Sequence, residues 1–160
     1  MLRLLAFPVV AIVFASQPLL AAGASRAGLS LSIHARDGQP VGAPLALELI
    51  ITNASTNDLR IAETNPYRDY KVTGWDPYGR RVPMTPFAEQ FNENTNVSLD
   101  RNIAVVLHPG EFATDTIDLT KLLAIKKPGA YRVVVTRDAP QSQNDEHPIH
   151  VEAEVIVHIK

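Results

Sequence analysis

The clearest indication of the fold is the segment Lys126-Lys127-Pro128-Gly129-Ala130-Tyr131-Arg132-Val133-Val134-Val135. A Pro-Gly turn leads into a tyrosine, and the tyrosine begins a run of β-branched residues that favours an extended strand. In antiparallel β-sandwiches a Gly-x-Tyr step of this kind often forms a tyrosine corner, in which the tyrosine hydroxyl bonds to backbone a few residues upstream. We therefore expect a strand from Tyr131 to Arg137, with the Tyr131 hydroxyl anchored at its start.

Strand patterns recur along the rest of the chain, separated by turn-forming sequences at intervals of roughly ten residues. Alternation of apolar and polar residues predicts strands with one buried face, as in the segment where Leu45, Leu47, Leu49 and Ile51 share a face. The predicted strands are 29–33, 45–52, 59–61, 70–75, 103–107, 112–119, 131–137 and 149–159. The core face of 112–119 is ambiguous from the pattern. Together these strands predict an all-β fold, an antiparallel β-sandwich of about seven to nine strands.

The connections between these strands differ in character. Asp76-Pro77-Tyr78-Gly79 is typical of a hairpin turn, flanked by 70–75 and 80–83. The segment from Thr85 to Arg101 has no clear periodicity and is rich in Asn, so we expect a long loop. Thr120 to Ile125 favours one helical turn, and Asp138 to Pro148 is a polar connection.

The amino terminus has the three parts of a secretory signal peptide. A short positive start at Arg3 precedes an apolar run from Leu4 to Ala15, and Ala22-Gly23-Ala24 supplies small residues for cleavage. An uncleaved anchor is the alternative, but spanning needs about 20 apolar residues. We expect residues 1–24 to be removed, with Ala15 as a second possible cleavage site, and 25–160 to form one domain. The protein is then exported, periplasmic or secreted, with no membrane span after cleavage.

Composition excludes several functional classes. The formal net charge of −2 gives no support for nucleic-acid binding, and the absence of cysteine excludes disulfides, thiolate metal sites and cysteine nucleophiles. We find no nucleophile elbow, zinc-protease motif or phosphate loop. The sequence therefore predicts a protein that is not an enzyme and needs no cofactor, with no catalytic residue and no metal ligand assigned.

The last predicted strand has two distinct faces. Its apolar face carries Ile149, Val151, Ala153, Val155, Val157 and Ile159. The opposite face carries His150, Glu152, Glu154 and His158. Histidine and carboxylate on neighbouring positions can hold zinc or copper, but a solvated polar face is the interpretation that the pattern favours.

Most of the aromatic residues lie in the middle of the chain. They are Tyr67, Tyr70, Trp75, Tyr78, Phe87 and Phe91. Aromatic side chains on loops can stack on sugars or anchor a protein partner, and we assign Tyr78, Phe87 and Phe91 to a partner-binding surface. Trp75 and Tyr70 are expected to pack in the core, with Trp75 beneath that surface.

Two Asn-x-Ser sequences match the glycosylation acceptor pattern, at Asn53-Ala54-Ser55 and at Asn96-Val97-Ser98. The pattern is short and also arises by chance, so it is a candidate site rather than an assignment.

Three segments carry a family resemblance. They are Leu45 to Ser55, then Leu107-His108-Pro109-Gly110-Glu111 leading to Ile117-Asp118-Leu119-Thr120, then Lys127 to Val133. Together they resemble secreted immunoglobulin-like modules, such as the amino-terminal domain of deuterolysin-type metalloproteases and the bacterial intracellular proteinase inhibitor family. The resemblance implies a sandwich fold. No zinc motif and no inhibitory residue of those families is matched in this chain.

Three functions follow as hypotheses. The leading one is an exported, non-enzymatic sandwich that binds a protein or glycan through its loops. The second is a proteinase inhibitor acting through an exposed loop, either Thr85 to Arg101 or Asp138 to Pro148. The third is a metal-binding protein that uses the last strand.

Overall fold

The structure, a computed structural model, describes residues 21–22, 28–36, 38–63, 65–93, 103–139 and 148–160. The strands in this part of the chain are β1 (Ala21–Ala22), β2 (Leu29–Ala35), β3 (Ala46–Asn53), β4 (Leu59–Glu63), β5 (Lys71–Trp75), β6 (Ile103–Leu107), β7 (Phe112–Asp118), β8 (Gly129–Ala139) and β9 (Ile149–Ile159). The helices are α1 (Pro66–Asp69), α2 (Pro86–Glu93) and α3 (Leu119–Leu122).

All pairings between these strands are antiparallel, and they form two main sheets. One sheet has the order β1-β2-β3-β7 and the other β5-β8-β9, while β4 and β6 form a separate pair. The orders β2-β3-β7 and β5-β8-β9 correspond to strands A-B-E and C-F-G of immunoglobulin-like sandwiches. The predicted fold class, an all-β immunoglobulin-like sandwich, is confirmed.

A single core lies between the sheets and follows the predicted alternation. Leu45, Leu47, Leu49 and Ile51 of the β3 region are all fully buried. On β9 every second residue from Val151 to Ile159 is buried and the residues between are exposed. The alternation places one apolar face of each strand in the core, so its burial stabilises the pairing of the two sheets.

The tyrosine corner forms as predicted. Tyr131 is buried near the start of β8, and its hydroxyl donates a hydrogen bond of 2.8 Å to the Lys127 carbonyl. The helical turn expected before it is α3, whose first turn is capped by the Asp118 carboxylate accepting from Thr120 N at 3.0 Å. The hydrogen bond from the Tyr131 hydroxyl to the Lys127 carbonyl therefore fixes the path of the chain into β8.

The structure corrects the long loop predicted from Thr85 to Arg101. Residues Pro86–Glu93 form α2, and residues 94–102 lie outside the described part of the chain. The Thr85 hydroxyl accepts from Ala88 N at 3.2 Å, and Pro86 occupies the first helical position. An N-terminal cap followed by proline is a helix-start signal, so the lack of long-range periodicity was the wrong criterion.

The structure adds two smaller details, the core face of β7 and a short helix. On β7, Ile117 is buried and Phe112 is exposed, so the odd-numbered residues face the core. The short helix α1 was not predicted; Asn65 caps it by accepting from Tyr67 N at 2.9 Å.

The acceptor-like sequence at Asn53 is part of the scaffold. Asn53 is fully buried, and its amide nitrogen donates to the carbonyls of Asn57 and Leu107, both at 2.8 Å. Its side-chain oxygen accepts from Ser55 N at 2.9 Å. A side chain committed in this way is not available for glycosylation in the folded domain. The second acceptor pattern, at Asn96, lies outside the described residues.

Hydrogen bonds bring three connections together at one end of the sandwich. Leu119 N donates to the Leu45 carbonyl at 2.8 Å, and Ala124 N donates to the Pro83 carbonyl at 2.9 Å. We call this end, made of residues 36, 38–45, 76–85 and 119–128, the hairpin end. The opposite end contains 53–58 and 107–112, joined by a 2.8 Å bond from Gly110 N to the Asn53 carbonyl.

Candidate functional site

Tyr78 lies on a rigid turn at the hairpin end. The Asp76 carboxylate accepts from Tyr78 N and Arg80 N, each at 2.9 Å, and from Arg80 Nε at 2.8 Å. The hydrogen bond from Arg80 lowers the pKa of Asp76 below its usual value, and the same bond raises the pKa of Arg80. The carboxylate therefore holds the backbone of the whole turn.

A second contact holds the turn against the sandwich. Gly129, at the start of β8, has a φ of 146°, and a Cβ there would lie 2.4 Å from Pro77 Cγ. Glycine is required because the proline ring occupies the space of a side chain. The Tyr78 side chain is 80% exposed on this fixed turn, with the Arg80 guanidinium 5.1 Å from its ring centroid.

Phe87 and Phe91 belong to a different cluster, together with Tyr67. The ring centroids lie 5.3 Å apart for Tyr67 and Phe87, 6.2 Å for Tyr67 and Phe91, and 4.9 Å for Phe87 and Phe91. Phe87 is 36% exposed. The Tyr67 hydroxyl accepts from Asp118 N at 3.1 Å and so ties this cluster to the end of β7. The rings pack one against another and secure α2 on the sandwich.

The structure thus places the three predicted residues in two surroundings. Phe87 and Phe91 are four residues apart on α2 and meet each other, whereas the ring of Tyr78 meets Arg80 on the hairpin turn. Tyr67 completes the helical cluster and was not assigned to it from the sequence. The i, i+4 spacing of the two phenylalanines was the available signal, once the Thr85-Pro86 helix start is read.

Trp75 does not lie in the core, which corrects the expectation from the sequence. Trp75 pairs with Arg132 in the β5–β8 register, so the two side chains share the outer face of the sheet. The core-facing position is Gly74, which is buried, and a Cβ there would lie 2.5 Å from Leu123 Cδ1. Leu123 therefore fills the place that was expected for the indole. Tyr70 is buried, as predicted.

Arg132 covers the Trp75 indole on that outer face. Its guanidinium carbon lies 3.8 Å from the indole centroid, and its NH1 donates to Glu154 Oε2 at 3.1 Å. Both charged side chains are roughly half exposed, at 44% and 49%. The arrangement is a solvent-facing cation–π stack that screens one face of the ring.

The polar face of β9 makes pairwise contacts. His150 Nδ1 lies 2.7 Å from Asp138 Oδ1, and Lys71 Nζ lies 3.3 Å from Asp138 Oδ2. The hydrogen bond to His150, assisted by Lys71, lowers the pKa of Asp138. Within the part of the chain that the structure describes, no group of three His, Asp or Glu side chains is arranged to hold a metal ion.

A buried charged network that the sequence did not reveal links the two sheets. Arg137, with 1% of its side chain exposed, donates to the Tyr70 hydroxyl at 3.0 Å and to the Ala62 carbonyl at 2.8 Å. The Tyr70 hydroxyl donates to Asp115 Oδ2 at 3.0 Å, and burial raises the pKa of Tyr70 above its usual range. These groups satisfy one another inside the protein, so the network holds the two sheets together.

Comparisons with known proteins add little beyond this geometry. The sequence matches no protein-family model, and no curated protein matches it. Among solved structures, the chain is similar to the CARDB domain of the PF1109 protein from Pyrococcus furiosus, in complex with di-metal ions, at 14% identity and a TM-score of 0.39. The match covers 98% of this chain and 100% of that domain. No family model supports either of the two families that the sequence resembles.

No helix in the described residues is long and apolar enough to cross a membrane. The loop from Asp138 to Pro148, one of two considered as an inhibitory loop, continues β8 to Ala139 and then leaves the described residues at 140–147. The other, from Thr85 to Arg101, is helical over Pro86–Glu93.

Proposed function

We propose that this protein is an exported, non-enzymatic binding module that contacts a partner protein through the hairpin end. The observation that carries the proposal is the 80% exposure of Tyr78 on a turn held by Asp76 and by the contact between Pro77 and Gly129. An exposed tyrosine on a preordered turn binds with a small loss of conformational freedom. This is the physical property expected of an anchor residue.

A protein partner agrees with the aromatic surroundings better than a glycan does. Sugar rings stack on open aromatic faces, but Arg132 covers one face of Trp75, and Arg80 lies over Tyr78. Tyrosine and arginine side by side are instead the residue types enriched at protein–protein contacts. Phe87 and Phe91 form the second predicted part of the contact surface, and the 36% exposure of Phe87 is compatible with that role.

Export is motivated by the apolar amino terminus and by Ala22-Gly23-Ala24. Mass spectrometry of periplasmic or secreted material is expected to show a chain that begins near Ser25. An intact amino terminus on a cytosolic protein would contradict this part of the proposal.

The experiment is a set of single alanine variants scored twice, for melting temperature and for the protein recovered by chemical crosslinking. Tyr78→Ala is expected to keep the wild-type melting temperature and to lose the crosslinked partner. Phe112→Ala is the matched control, because Phe112 is an exposed aromatic, 64% exposed, at the opposite end. It is expected to keep the partner.

The cluster residues need separate treatment, since Phe87 and Phe91 also pack with Tyr67. Phe87→Ala and Phe91→Ala are expected to lower the melting temperature modestly and to weaken the crosslink. If both variants unfold while Tyr78→Ala retains the partner, the aromatic residues are scaffold and the proposed contact surface is wrong.

A further inference from the structure

The hairpin end carries an excess of basic side chains, although the whole chain has a formal net charge of −2. In the described residues of its three connections the basic residues are Arg36, Arg80, Arg81, Lys121, Lys126 and Lys127. The acidic side chains here are Asp76, which pairs with Arg80 at 2.7 Å, and Asp118, at the end of β7, which accepts from Leu45 N and Thr120 N. Among these described residues the basic side chains outnumber the acidic ones by six to two.

Three of these basic residues lie on neighbouring turns and face solvent. Arg81, Lys126 and Lys127 are exposed, and no described residue pairs with their side chains. The backbone bond from Ala124 N to the Pro83 carbonyl, at 2.9 Å, holds the two turns side by side. The charges thus belong to one surface and are available to an external anion.

Two loop tips with apolar or amphipathic side chains project from the same end. Tyr78 is 80% exposed and Val41 is 39% exposed. Each is followed by a glycine with positive φ, Gly42 at 81° and Gly79 at 76°, and a Cβ at either glycine would meet nothing within 4 Å. Backbone bonds anchor both loops, including one of 3.0 Å from Val41 N to the Lys160 carbonyl.

We propose that the hairpin end docks on the surface of an anionic phospholipid bilayer. Lysine and arginine near an anionic membrane are attracted by its surface potential. A tyrosine ring suits the headgroup region, where one part of the side chain is apolar and the other is wet. Val41 and Tyr78 enter that region while Arg81, Lys126 and Lys127 lie over the lipid phosphates, and the strands stand away from the surface.

The form of the surface favours a bilayer over other anionic partners. The apolar side chains of Val41 and Tyr78 sit on two separate protruding tips, and each can enter a headgroup region on its own without a matching pocket on the partner. A soluble polyanion would use the basic residues but would gain nothing from Val41. The docking goes beyond the proposed protein contact. Because Tyr78 serves both, the variants that test the bilayer leave Tyr78 unchanged.

The test measures binding of the purified chain to phosphatidylcholine vesicles with and without phosphatidylglycerol. The readout is the ratio of the two partition coefficients, to which any apolar amino-terminal segment contributes equally in wild type and variants. Arg81→Gln/Lys126→Gln is expected to lower that ratio by about thirtyfold, since each charge contributes about fivefold. Arg60→Gln/Lys71→Gln, on β4 and β5 at the opposite end, removes the same two residue types and is expected to change it less than threefold.

A second pair of measurements identifies the kind of anion. Val41→Ser is expected to weaken vesicle binding while leaving binding to heparin, a soluble polyanion, unchanged. Equal loss in both charge variants would show that net charge alone is responsible and would overturn the proposal. Heparin binding without vesicle binding would overturn it in favour of a soluble polyanion. In either case the crosslinking result for Tyr78→Ala still decides the proposed protein contact separately.

Discussion

Two arginines on β8, Arg132 and Arg137, differ in burial although they lie only five residues apart. Arg137 is buried, contacts the Tyr70 hydroxyl and the Ala62 carbonyl, and lies 3.7 Å from Asp115 Oδ2. Arg132 stands on the outer face of the sheet, over Trp75 and beside Glu154. Both pair with one aromatic ring and one carboxylate, so residue type alone does not separate them.

The difference comes from position along the strand. Successive side chains of a strand point to opposite faces, so an odd separation places the two guanidinium groups on opposite sides of the sheet. The inner arginine must be satisfied completely because an unpaired buried charge is costly. The outer arginine keeps water as an alternative partner. The inner face of this sheet is therefore scaffold, while the outer face and the turns can change without unfolding the protein.

The largest test of this contrast lies on β9. Val155→Asp would place a carboxylate in the core, where Val155 is 2% exposed, and is expected to cost more than about 4 kcal/mol of unfolding free energy. Glu154→Lys, one residue away on the outer face, is expected to cost less than about 1 kcal/mol. Urea denaturation measures both. Similar midpoints for the two variants would mean that the faces of β9 are assigned wrongly.

The arginines themselves provide the next test. Arg137→Ala leaves the Asp115 carboxylate and the Ala62 carbonyl without their buried partner and is expected to destabilise by about 3 kcal/mol or more. Arg132→Ala removes a half-exposed ion pair and a cation–π contact and is expected to cost about 1 kcal/mol or less. Chemical denaturation followed by tyrosine and tryptophan fluorescence distinguishes them. If Arg132→Ala cost as much unfolding free energy as Arg137→Ala, the outer arginine would be as important to stability as the buried one, contrary to our expectation.

The tyrosine corner is expected to give an intermediate effect. Tyr131→Phe removes only the 2.8 Å hydrogen bond to the Lys127 carbonyl, and we expect a loss of about 1 to 3 kcal/mol with the fold retained. Thermal unfolding checks the loss, and a circular dichroism spectrum checks the fold. An unchanged melting temperature would show that the hydroxyl bond contributes nothing to stability.

The smallest effect is a change of titration on the surface. His108 Nδ1 lies 2.8 Å from Asp58 Oδ1, and this hydrogen bond, with a further contribution from Glu111, raises the pKa of His108 above its ordinary value. The pair therefore stabilises the fold fully below the unfolded histidine pKa, and the contribution disappears as pH rises through the higher folded pKa. NMR titration of the imidazole should show the raised midpoint. Asp58→Asn should return the pKa of His108 toward its ordinary value. An unchanged pKa in that variant would show that Asp58 does not pair with His108.

Much of the fold could be predicted because the relevant signals are local. Alternation placed the strands, including both faces of β9, and the Pro-Gly-x-Tyr sequence predicted the bond between Tyr131 and the Lys127 carbonyl. The same method failed at α2, where a short helix depends on a cap at Thr85 and on packing against Tyr67 rather than on a long period. Short helices are stabilised mainly by tertiary contacts.

The surface was harder to predict because it depends on which face each residue occupies. Trp75 was placed in the core by analogy with the buried tryptophan of such folds, yet the inward position belongs to Gly74 and Leu123 fills the space. The network joins Arg137 to Tyr70, which is 67 positions away in the chain, and to Asp115, which is 22 positions away. No spacing rule connects Tyr70, Asp115 and Arg137 before the sheets are paired.

Site-specific photo-crosslinking can show whether the hairpin end is the contact surface. A photoreactive phenylalanine analogue at position 78 is compared with the same analogue at position 112, two exposed aromatic positions at opposite ends of the sandwich. We expect a discrete protein adduct from position 78 that an excess of unlabelled wild-type protein competes away, and no adduct from position 112. An adduct from position 112 alone would contradict the claim and place the contact surface at the other end.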